Sequence, residues 1–498
     1  MIIATNAPGS EAAGALDAII IGSGFGGAFS ADKLVDAGFR VAMVERGPWR
    51  DTEPVRAAGI AERSPLPHGR KAFSRLFRRI SGPWLPRSGL SLHKHGLFDL
   101  HFDREMTILC SSGVGGGSHV YLAANTRPVA SDYWDGRAEG ISAASMEPYY
   151  DAAISRMGAR QPEANYAIPN FVGDRFRDDP AFTADPGLAQ PAMSVEFGAD
   201  SPSGNGFLGS PDGSKVTLDV LLLAPAMKRG LRVLALHEAL KIDCADDGNW
   251  TVTTRDHRSG KTCQLTAPRL LLAAGTMNTL RLLFDYRSRC VPNALPALGD
   301  GFTGNADAFS WWARNDDEVD YTRGPPCHGR FALRGNEDGP ELLSAGLSGI
   351  HEIPMPRSLL GYLRRNLVVG TMAPDEVGGR ASWREGRLKL HYSLKDNPIM
   401  ERIQQLFDKI EQLSGKKLYR FRTFPASVHP IGGARVHDDP LQGVVNGHGE
   451  VHGQAGLFVL DASALPSAPG APPSMSVAAW ASHVAVGICK GGTAGSAN

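Results

Sequence analysis

The alternation of apolar and polar positions near the N-terminus predicts a strand, a tight turn, a helix and a second strand. LDAIIIG is apolar, β-branched and of strand length. It leads into the glycine-rich stretch 22–27, and the following AFSADKLVDAG has helical periodicity and stops at Gly38. RVAMVE is a second strand pattern that ends at Glu45. The order strand, G-x-G-x-x-G, helix, strand, acid predicts a dinucleotide-binding unit.

Each position of this glycine motif has a physical reason in a nucleotide-binding turn. Gly22 permits the tight turn, Gly24 lets the backbone approach a pyrophosphate, and Gly27 lets helix and strand pack closely. The helix N-terminus offers unpaired N–H groups to the phosphates. Glu45 is placed to accept hydrogen bonds from an adenosine ribose. An incidental glycine-rich turn is the alternative, and the surrounding strands and helix favour dinucleotide binding.

A second glycine cluster indicates which dinucleotide is bound. CSSGVGGGSHVYLAAN, residues 110–125, lets backbone lie flat against a large planar or phosphate-bearing ligand. NAD enzymes do not need such a cluster. LRVLALHEALKIDC and NWTVTTRD predict antiparallel strands around the turn ADDGN, and APRLLLAAGTMNTLRLLF predicts strand, turn and helix. A nucleotide domain that is interrupted and resumed in this way favours FAD, the larger cofactor.

Two basic segments have amphipathic helical periodicity. RKAFSRLFRRISGPWLP places Phe73, Leu76, Phe77 and Ile80 on one predicted helical face, and RSLLGYLRRNLVVG, residues 357–370, repeats this style. Such a helix suits a membrane surface, and a core-facing surface helix with a solvated basic side fits the pattern equally well.

A third helical pattern, DNPIMERIQQLFDKIEQLSG, predicts a purely structural helix. Asn397 is suited to the N-cap and Pro398 to the first helical position. The predicted buried stripe consists of Ile399, Ile403, Leu406, Phe407, Ile410 and Leu413.

Composition limits the class of protein and its partners. A chain of 498 residues is too long for one ordinary core and suggests two domains. Basic and acidic residues both number 52, so a net charge of zero gives no field that attracts nucleic acid. The six cysteines are scattered without metal-ligand spacing, so we expect reduced thiols and no metal site. We also expect a cytoplasmic location, since neither a signal-peptide pattern nor a bilayer-spanning apolar run is evident.

An ordered set of motifs resembles one enzyme family, the glucose–methanol–choline (GMC) flavoprotein oxidoreductases. The motifs are AIIIGSGFGGAFSADKLVDAGFRVAMVERG, GVGGGS, KVTLDVLLLAPAMKRGLRVLALHEALKI, LLLAAGTMNTLRLL, HEIPMP, HPIGGARV and LFVLDASALP. Within the family the chain is most similar to the non-covalent bacterial cholesterol oxidases. The resemblance implies an α/β fold, with a Rossmann-like FAD-binding domain interleaved with an α+β substrate domain built on an antiparallel sheet. We expect residues 1–130, 205–310 and 425–498 in the former, and 131–204 and 311–424 in the latter.

The resemblance also assigns two catalytic residues. His429 opens HPIGG and is held on a short turn, and the family places this ring at the substrate hydroxyl beside flavin N5. A hydrogen-bonded core histidine is the alternative. Glu352 in IHEIPMP matches the glutamate that cholesterol oxidases use as a base, and burial in an apolar pocket raises a carboxyl pKa toward neutrality. An exposed strand glutamate is the alternative there. If this segment is a strand, the side chain of His351 should point to the face opposite Glu352, so we leave His351 outside the predicted site.

Three positions depart from the family pattern. Covalent relatives carry a histidine just after the glycine cluster, but Val120 stands there and His119 lies one position away, so we predict non-covalent FAD. Tyr121 replaces an asparagine of the cholesterol oxidases, which predicts different redox tuning. Pro472 replaces the Asn or His that pairs with the catalytic histidine, and it offers neither a side-chain donor nor an N–H.

The other site residues follow the family pattern as well. Asp461 helps to hold the ribityl–phosphate region, and the helix that begins near Ser474 directs its N-terminal dipole at the N1–C2=O edge of reduced flavin. The predicted cofactor-binding residues are Gly22, Gly24, Gly27, Glu45, Gly113, Gly115, Gly117, Tyr121, Ala239, Gly275, Asp461, Ala462 and Ser474, and the substrate-pocket candidates are Pro472 and Phe77.

These features predict an FAD-dependent alcohol oxidoreductase that transfers hydride from a secondary alcohol, sterol-like or otherwise hydrophobic, to flavin N5. O2 or another acceptor would reoxidise the flavin, peripheral membrane contact fits the amphipathic segments, and the oligomeric state is left open. Three alternatives remain: a flavin dehydrogenase for a polar alcohol of sugar or aminoglycoside type, a non-redox flavoenzyme, and an inactive flavoprotein that binds a lipid or partner.

Overall fold

The structure is a computed structural model, and it describes residues 15–161, 192–196, 206–333, 340–347, 350, 353–375, 378–393, 397–420 and 425–493, together with the strand Phe182–Thr183. Helices and strands are numbered in chain order within this part of the chain. The predicted base Glu352 and its neighbour His351 lie outside the described residues.

A parallel five-stranded sheet carries the glycine motif. Its described strands run in the order β10 (Arg232–Ala235), β2 (Val41–Glu45), β1 (Ala18–Ile21), β14 (Leu270–Leu272) and β24 (Leu457–Val459). Every residue of β1, β2 and β14 is buried, as expected when helices cover both faces of a parallel sheet. The strands predicted from LDAIIIG and RVAMVE are therefore confirmed, and the motif LFVLDASALP contributes β24.

Helices attach to this sheet through apolar faces. The helices in this part of the fold are α1 (Phe25–Asp36), α2 (Glu53–Ala57), α3 (Ala72–Arg75), α4 (Ala143–Arg156), α5 (Ala224–Lys228), α6 (Thr276–Cys290) and α9 (Ser474–Thr493). α9 packs on α1 and α4. Trp480 of α9 stacks on Trp134 with ring centroids 5.8 Å apart, and its indole N–H donates to the Val459 carbonyl at 2.9 Å. These contacts fix α9 against β24.

An antiparallel three-stranded sheet follows β10 and corrects one prediction. It consists of β11 (His237–Cys244), β12 (Trp250–Asp256) and β13 (Thr262–Ala267). The segment LRVLALHEALKIDC forms two strands, because the chain turns at Leu236, whose φ is +59°. β10 joins the parallel sheet and β11 pairs with β12 around the predicted turn ADDGN.

A larger antiparallel sheet has its own apolar core. Its strand order is β22 (Leu418–Arg420), β16 (Ala308–Trp312), β19 (Leu367–Met372), β18 (Glu341–Ala345), β17 (Cys327–Leu333) and β9 (Phe182–Thr183). α8 (Pro398–Ser414) buries five of its six predicted stripe residues against this sheet, and Leu413 is the exception, being exposed. Asn397 occupies the N-cap position but its side chain makes no capping bond. The predicted domain boundaries stay a prediction.

The first amphipathic segment is divided between a short helix and a strand, which corrects the prediction of one amphipathic helix. α3 ends at Arg75, and β5 (Phe77–Ser81) joins a sheet with β6 (Leu90–Ser91), β7 (Phe98–Phe102), β8 (Thr107–Ser111) and β23 (Ala426–Ser427). The Arg78 guanidinium is buried and pairs with Asp99 at 2.7 Å, and Arg79 pairs with Glu238 at 2.9 Å. These ion pairs stabilise the strand, whereas an isolated short helix gains little from periodicity alone.

The remaining elements are short. α7 (Arg357–Arg364) confirms a helix in the second amphipathic segment, but Leu367 lies in β19. β15 (Asp300–Phe302), β20 (Gly379–Arg384) and β21 (Arg387–His391) form one sheet, and β3 (Trp49–Arg50) pairs with β4 (Arg63–Ser64). No helix in the described chain combines the length and apolar character needed to cross a bilayer.

Candidate active site

The first glycine motif forms a tight turn between β1 and α1. Gly22 has a φ of +100°, and a Cβ there would lie 2.1 Å from the Ala273 carbonyl oxygen. A Cβ on Gly27 would lie 2.0 Å from the carbonyl oxygen of Gly22, so helix and strand are in close contact. α1 begins at Phe25, with Gly24 at its N-cap. Its free N–H groups therefore face the end of the parallel sheet.

A cavity beside this turn gathers several predicted residues from distant segments. It is lined in part by Gly22, Glu45, Ala239, Asn278 and Arg281. The Glu45 carboxylate accepts hydrogen bonds from the Ser23 hydroxyl at 2.7 Å and the Gly47 N–H at 2.8 Å, which orient it at the end of β2. A cavity at the carboxyl ends of parallel strands is the usual place for a nucleotide.

The second glycine cluster packs directly on the first. Gly116 has a φ of +54°, and a Cβ there would lie 2.6 Å from the Gly24 Cα. The Gly115 N–H donates to the Ser23 hydroxyl at 3.2 Å. The Tyr121 ring meets the edge of Phe25 at 5.7 Å between centroids. Two glycine-rich segments about 90 residues apart thus form one continuous cradle of backbone.

His119 and Val120 bear on whether a flavin is attached covalently. The His119 side chain is fully buried, and its Nε2 lies 2.7 Å from the Val114 carbonyl oxygen. The Asp219 carboxylate lies 3.6 Å from the same nitrogen. Burial lowers the pKa of His119, so the imidazole is held neutral. Val120 has no nucleophilic atom.

Asp461 connects the ends of β24 and β14. One carboxylate oxygen accepts from the Gly275 N–H at 2.9 Å and from the Thr279 hydroxyl, and the other accepts from the N–H and hydroxyl of Ser463 at 3.0 and 2.6 Å. Burial raises the pKa of Asp461. The carboxylate therefore orders the turns that carry Gly275 and Ala462, and its acceptor sites are occupied by protein donors.

Orphaned hydroxyls mark where a polar ligand fits. Ser474 Oγ, at the N-terminus of α9, is buried without a hydrogen-bond partner in the described chain, and so is Ser112 Oγ at the second glycine cluster. Buried hydroxyls normally have partners. Together with the glycine cradle, these donors fit the phosphates and flavin ring edge of FAD.

His429 is held by a buried carboxylate that sequence reasoning missed. Its Nδ1 lies 2.9 Å from Asp307 Oδ1, and the Asp307 side chain is fully buried. The other oxygen of Asp307 accepts from the Ser427 hydroxyl at 2.9 Å, the Val428 N–H at 2.9 Å and the His429 N–H at 3.2 Å. Because a carboxylate only accepts, Nδ1 carries the proton and Nε2 is left as an acceptor.

The segment 303–307 contacts both the HPIGG turn of His429 and the loop that precedes Pro472. Thr303 pairs with Ile431 of the HPIGG turn. The Asn305 amide donates to the Ala471 carbonyl at 3.1 Å and accepts from the Gly470 N–H at 3.0 Å. Asn305 and Ala306 have φ values of +59° and +47°, so this backbone is held in a left-handed conformation.

Another buried carboxyl, Asp375, lies behind this segment. It accepts hydrogen bonds from the Tyr392 hydroxyl at 3.0 Å and from the Thr303 hydroxyl. Its other oxygen is buried without a hydrogen-bond partner among the described residues. Burial raises the pKa of Asp375 to about 7, and the negative charge of Asp307 adds to this effect.

Two further cavities are lined by a predicted pocket residue or by a neighbour of one. Pro472 lines a small one with Ala124, Thr126, Arg330, Leu343 and Met372. A larger cavity is lined by apolar residues, among them Phe73, Leu76, Phe207, Leu208, Leu347 and Ile353. The predicted pocket residue Phe77 is not among the residues that line it, although its neighbour Leu76 is.

Sequence reasoning singled out His429 but did not identify its carboxylate partner Asp307, nor Asn305 and Asp375. The stretch GFTGNAD has no motif or periodicity that marks its polar residues. Asp307 contacts His429 and Asn305 contacts Ala471, and both partners lie 120 or more residues further along the chain. Only the folded chain brings them together.

Most of this chain is similar in sequence to known oxidoreductases. The GMC oxidoreductase family models match residues 16–302 and 390–481. A cholesterol oxidase of Mycobacterium tuberculosis (strain CDC 1551 / Oshkosh) is 27% identical, with 94% of this chain and 90% of that protein covered. The 6'''-hydroxyparomomycin C oxidase of Streptomyces lividus is 23% identical, covering 93% and 90%. A solved structure described as a new fungal aryl-alcohol oxidase has a TM-score of 0.59 at 13% identity, over 97% of this chain and 100% of that one.

The two glycine-rich segments and the turn that carries His429 thus lie in a chain whose sequence matches oxidoreductases. The chain is a member of the GMC oxidoreductase family. GMC oxidoreductases are flavoproteins that use FAD and act on CH–OH groups, so the protein is an FAD-dependent oxidoreductase of that class.

Proposed function

We propose that the protein oxidises a hydrophobic secondary alcohol, with His429 as the base for the hydroxyl proton. The observation that carries this proposal is the 2.9 Å contact between His429 Nδ1 and the buried Asp307 carboxylate. It leaves Nε2 as an acceptor, and the imidazole is one quarter exposed. A histidine held in this tautomer is suited to accept a proton.

The residues around His429 divide the work of the reaction. Nε2 accepts the hydroxyl proton as the carbinol carbon loses hydride, so the alcohol becomes a ketone and His429 becomes an imidazolium. The Asp307 carboxylate stabilises this imidazolium and fixes the plane of the ring. When bound, FAD supplies the two-electron acceptor for the hydride. Pro472 excludes water from its side of the site and donates no hydrogen bond.

The apolar cavity supports a hydrophobic substrate. Its side chains bury nonpolar surface at about 25 cal/mol per Å², which a sugar does not offer. Phe73, on its wall, is 71% exposed, so a nonpolar molecule has a way in. The similarity to cholesterol oxidases supports a sterol-like alcohol, and the relatives named oxidases support O2 as electron acceptor. Glu352, as a second base, remains a proposal that rests on the family pattern.

A second candidate function is oxidation of a polar alcohol. Arg330 and Thr126 line the cavity at Pro472, and the Thr126 hydroxyl is buried without a hydrogen-bond partner in the described chain. These groups suit an oxygen-rich substrate. The similarity to 6'''-hydroxyparomomycin C oxidase points the same way.

Two further properties follow from the same surfaces. We propose that FAD is bound non-covalently, since His119 Nε2 contacts the Val114 carbonyl and the Val120 side chain cannot form a covalent bond to the flavin. Denaturation in acid should therefore release all FAD into the supernatant. We also propose peripheral contact with membranes around Phe73, which is 71% exposed and follows Arg70 and Lys71 in the sequence, and around Trp84, which is 74% exposed. Sedimentation with anionic vesicles tests this, and Phe73→Ser with Trp84→Ser should reduce it.

An anaerobic screen of flavin bleaching against sterols, sugars, aminoglycosides and aromatic alcohols tests the main proposal. We expect a hydrophobic secondary alcohol to bleach the flavin fastest. His429→Gln should slow that bleaching by ~10²–10⁴-fold, whereas the exposed His448→Gln should leave it unchanged. Fastest bleaching by a sugar or aminoglycoside favours the second candidate, and no bleaching by any alcohol contradicts both.

A further inference from the structure

Lys215 is a buried cation that the reaction described above does not use. It lies at the turn before Asp219–Leu223, in the motif KVTLD, and its side chain is 1% exposed. No carboxylate of the described residues forms a salt bridge with it. Burying a lysine without a charged partner costs folding free energy, so we expect Lys215 to have a specific role.

The ammonium group of Lys215 is surrounded by backbone carbonyls. Nζ donates to the carbonyl oxygens of His119 at 2.9 Å, Tyr121 at 3.2 Å and Gly206 at 2.8 Å. Three acceptors match the three donors of an ammonium group, whereas a neutral amine has only two N–H donors and a lone pair. The shell therefore selects the protonated form.

Two of these carbonyls belong to the end of the second glycine cluster. Nζ also lies 5.5 Å from the centroid of the Tyr121 ring, on which the edge of Phe25 packs. Phe25 is the first residue of α1, in the dinucleotide turn. Lys215 is thus connected to both glycine segments of the cofactor cradle.

A second buried cation lies at the other end of the cluster. Arg50 donates to the carbonyls of His95 and Gly96 at 2.8 and 2.9 Å, and a Cβ on Gly113 would lie 2.9 Å from its Nε. The nearby titratable groups are His119, whose pKa is lowered by burial, the guanidinium of Arg75, and the carboxylates of Asp219 and Glu45. Buried positive charge at both ends of a glycine cradle suits an anionic ligand.

We propose that Lys215 is a positioning residue that fixes the backbone at His119 and Tyr121 and, through its positive charge, stabilises the reduced, anionic state of the bound flavin. The inference rests on the FAD site of the family and not on the proposed substrate. Burial lowers the pKa of Lys215 to about 7 in the protein alone, and an anionic ligand opposes that effect.

Equilibration of the holoenzyme with a reference redox dye tests the charge without any alcohol. At an effective dielectric constant of about 20, removing a unit charge close to an ionised group changes an equilibrium constant about tenfold. Lys215→Gln, which is neutral but keeps two donors, and Lys215→Met should lower the ratio of reduced flavin to reduced dye at least about tenfold. Lys215→Arg should stay within about threefold of the wild type, as should Lys228→Met, which removes an exposed charge at the end of α5.

A Lys215→Gln protein that binds FAD and keeps the wild-type dye equilibrium would overturn the proposal and leave Lys215 a structural residue. Should neither neutral variant retain FAD, Lys215→Arg decides. If Lys215→Arg has a dye equilibrium and an FAD dissociation constant close to those of the wild type, the role proposed for the positive charge is supported. A tenfold fall in the ratio of reduced flavin to reduced dye in Lys215→Arg contradicts that role.

Discussion

Replacing Asp307 by asparagine should reverse the proton position on His429 without unfolding the site. Asp307 accepts four hydrogen bonds, and three of them converge on Oδ2. The carbonyl oxygen of an asparagine can occupy that position. The amide NH2 then faces His429 Nδ1, where Oδ1 lies 2.9 Å away in the wild type. Because the NH2 donates, Nδ1 must accept, and the proton moves to Nε2, where the hydroxyl proton should be received.

The size of the effect follows from two losses. A charge-assisted hydrogen bond to the imidazolium is worth about 1.5–3 kcal/mol, which corresponds to a factor of ~10 to ~150 in rate. The wrong tautomer removes general-base catalysis, worth ~10²–10⁴-fold. We therefore expect Asp307→Asn to slow anaerobic flavin reduction by ~10²–10⁴-fold, because the two losses concern the same proton and overlap.

Stopped-flow bleaching of the flavin, with the best alcohol of the screen, measures this rate. Ser427→Ala is the matched control, since it removes one donor to the same carboxylate, and with it the contacts of that hydroxyl to the His429 N–H and the Gly304 carbonyl, but leaves the Nδ1 contact in place. It should change the rate less than about tenfold. If Asp307→Asn retains bound flavin and reduces it within about tenfold of the wild type, the assignment of His429 as the base is wrong.

The remaining predictions concern the cradle, the buried carboxyl and the proline wall. Gly116→Ala should weaken FAD binding and lower the melting temperature, because its Cβ would lie 2.6 Å from Gly24 Cα, while Gly117→Ala, whose nearest neighbour is 3.8 Å away, should leave the melting temperature of the apoprotein unchanged. The pKa of Asp375 is raised by burial to about 7, so the folded protein holds that proton more tightly than the unfolded chain and loses stability as pH rises from about 4 to about 7. Asp375→Asn should remove this loss of stability. Melting temperatures of the wild type and of Asp375→Asn, measured above and below that pH window, test this. If both melting temperatures fell equally with rising pH, Asp375 would not be the group responsible. Pro472→Asn should raise oxidation of sterols if the pocket is sterol-like, and unchanged rates and flavin potential would show that Pro472 does not face the reaction.

The elements that local pattern predicted well are those whose burial repeats along the chain. β1, β2, α1 and α6 satisfy their hydrogen bonds within a few residues or with strands of the same apolar type, so periodicity identifies them. Segment 72–80 has the apolar spacing of a helix, and the helix prediction is wrong beyond Arg75 because Arg78 and Arg79 pair with carboxylates on β7 and β11. Long-range ion pairs leave no trace in local spacing.

The sequence by itself determined the glycine turn, the family motifs and the place of His429, because backbone clearance and turn geometry depend on neighbouring residues. Tertiary structure alone decided which groups act on them. Asp307 reaches His429 across 122 residues, Asn305 holds the loop of Pro472, and Lys215 reaches the carbonyl of His119 across 96 residues. Hydrogen bonds at 2.9 Å require positions that only the packed sheets and turns define, since a contact between distant segments depends on how the whole chain folds between them.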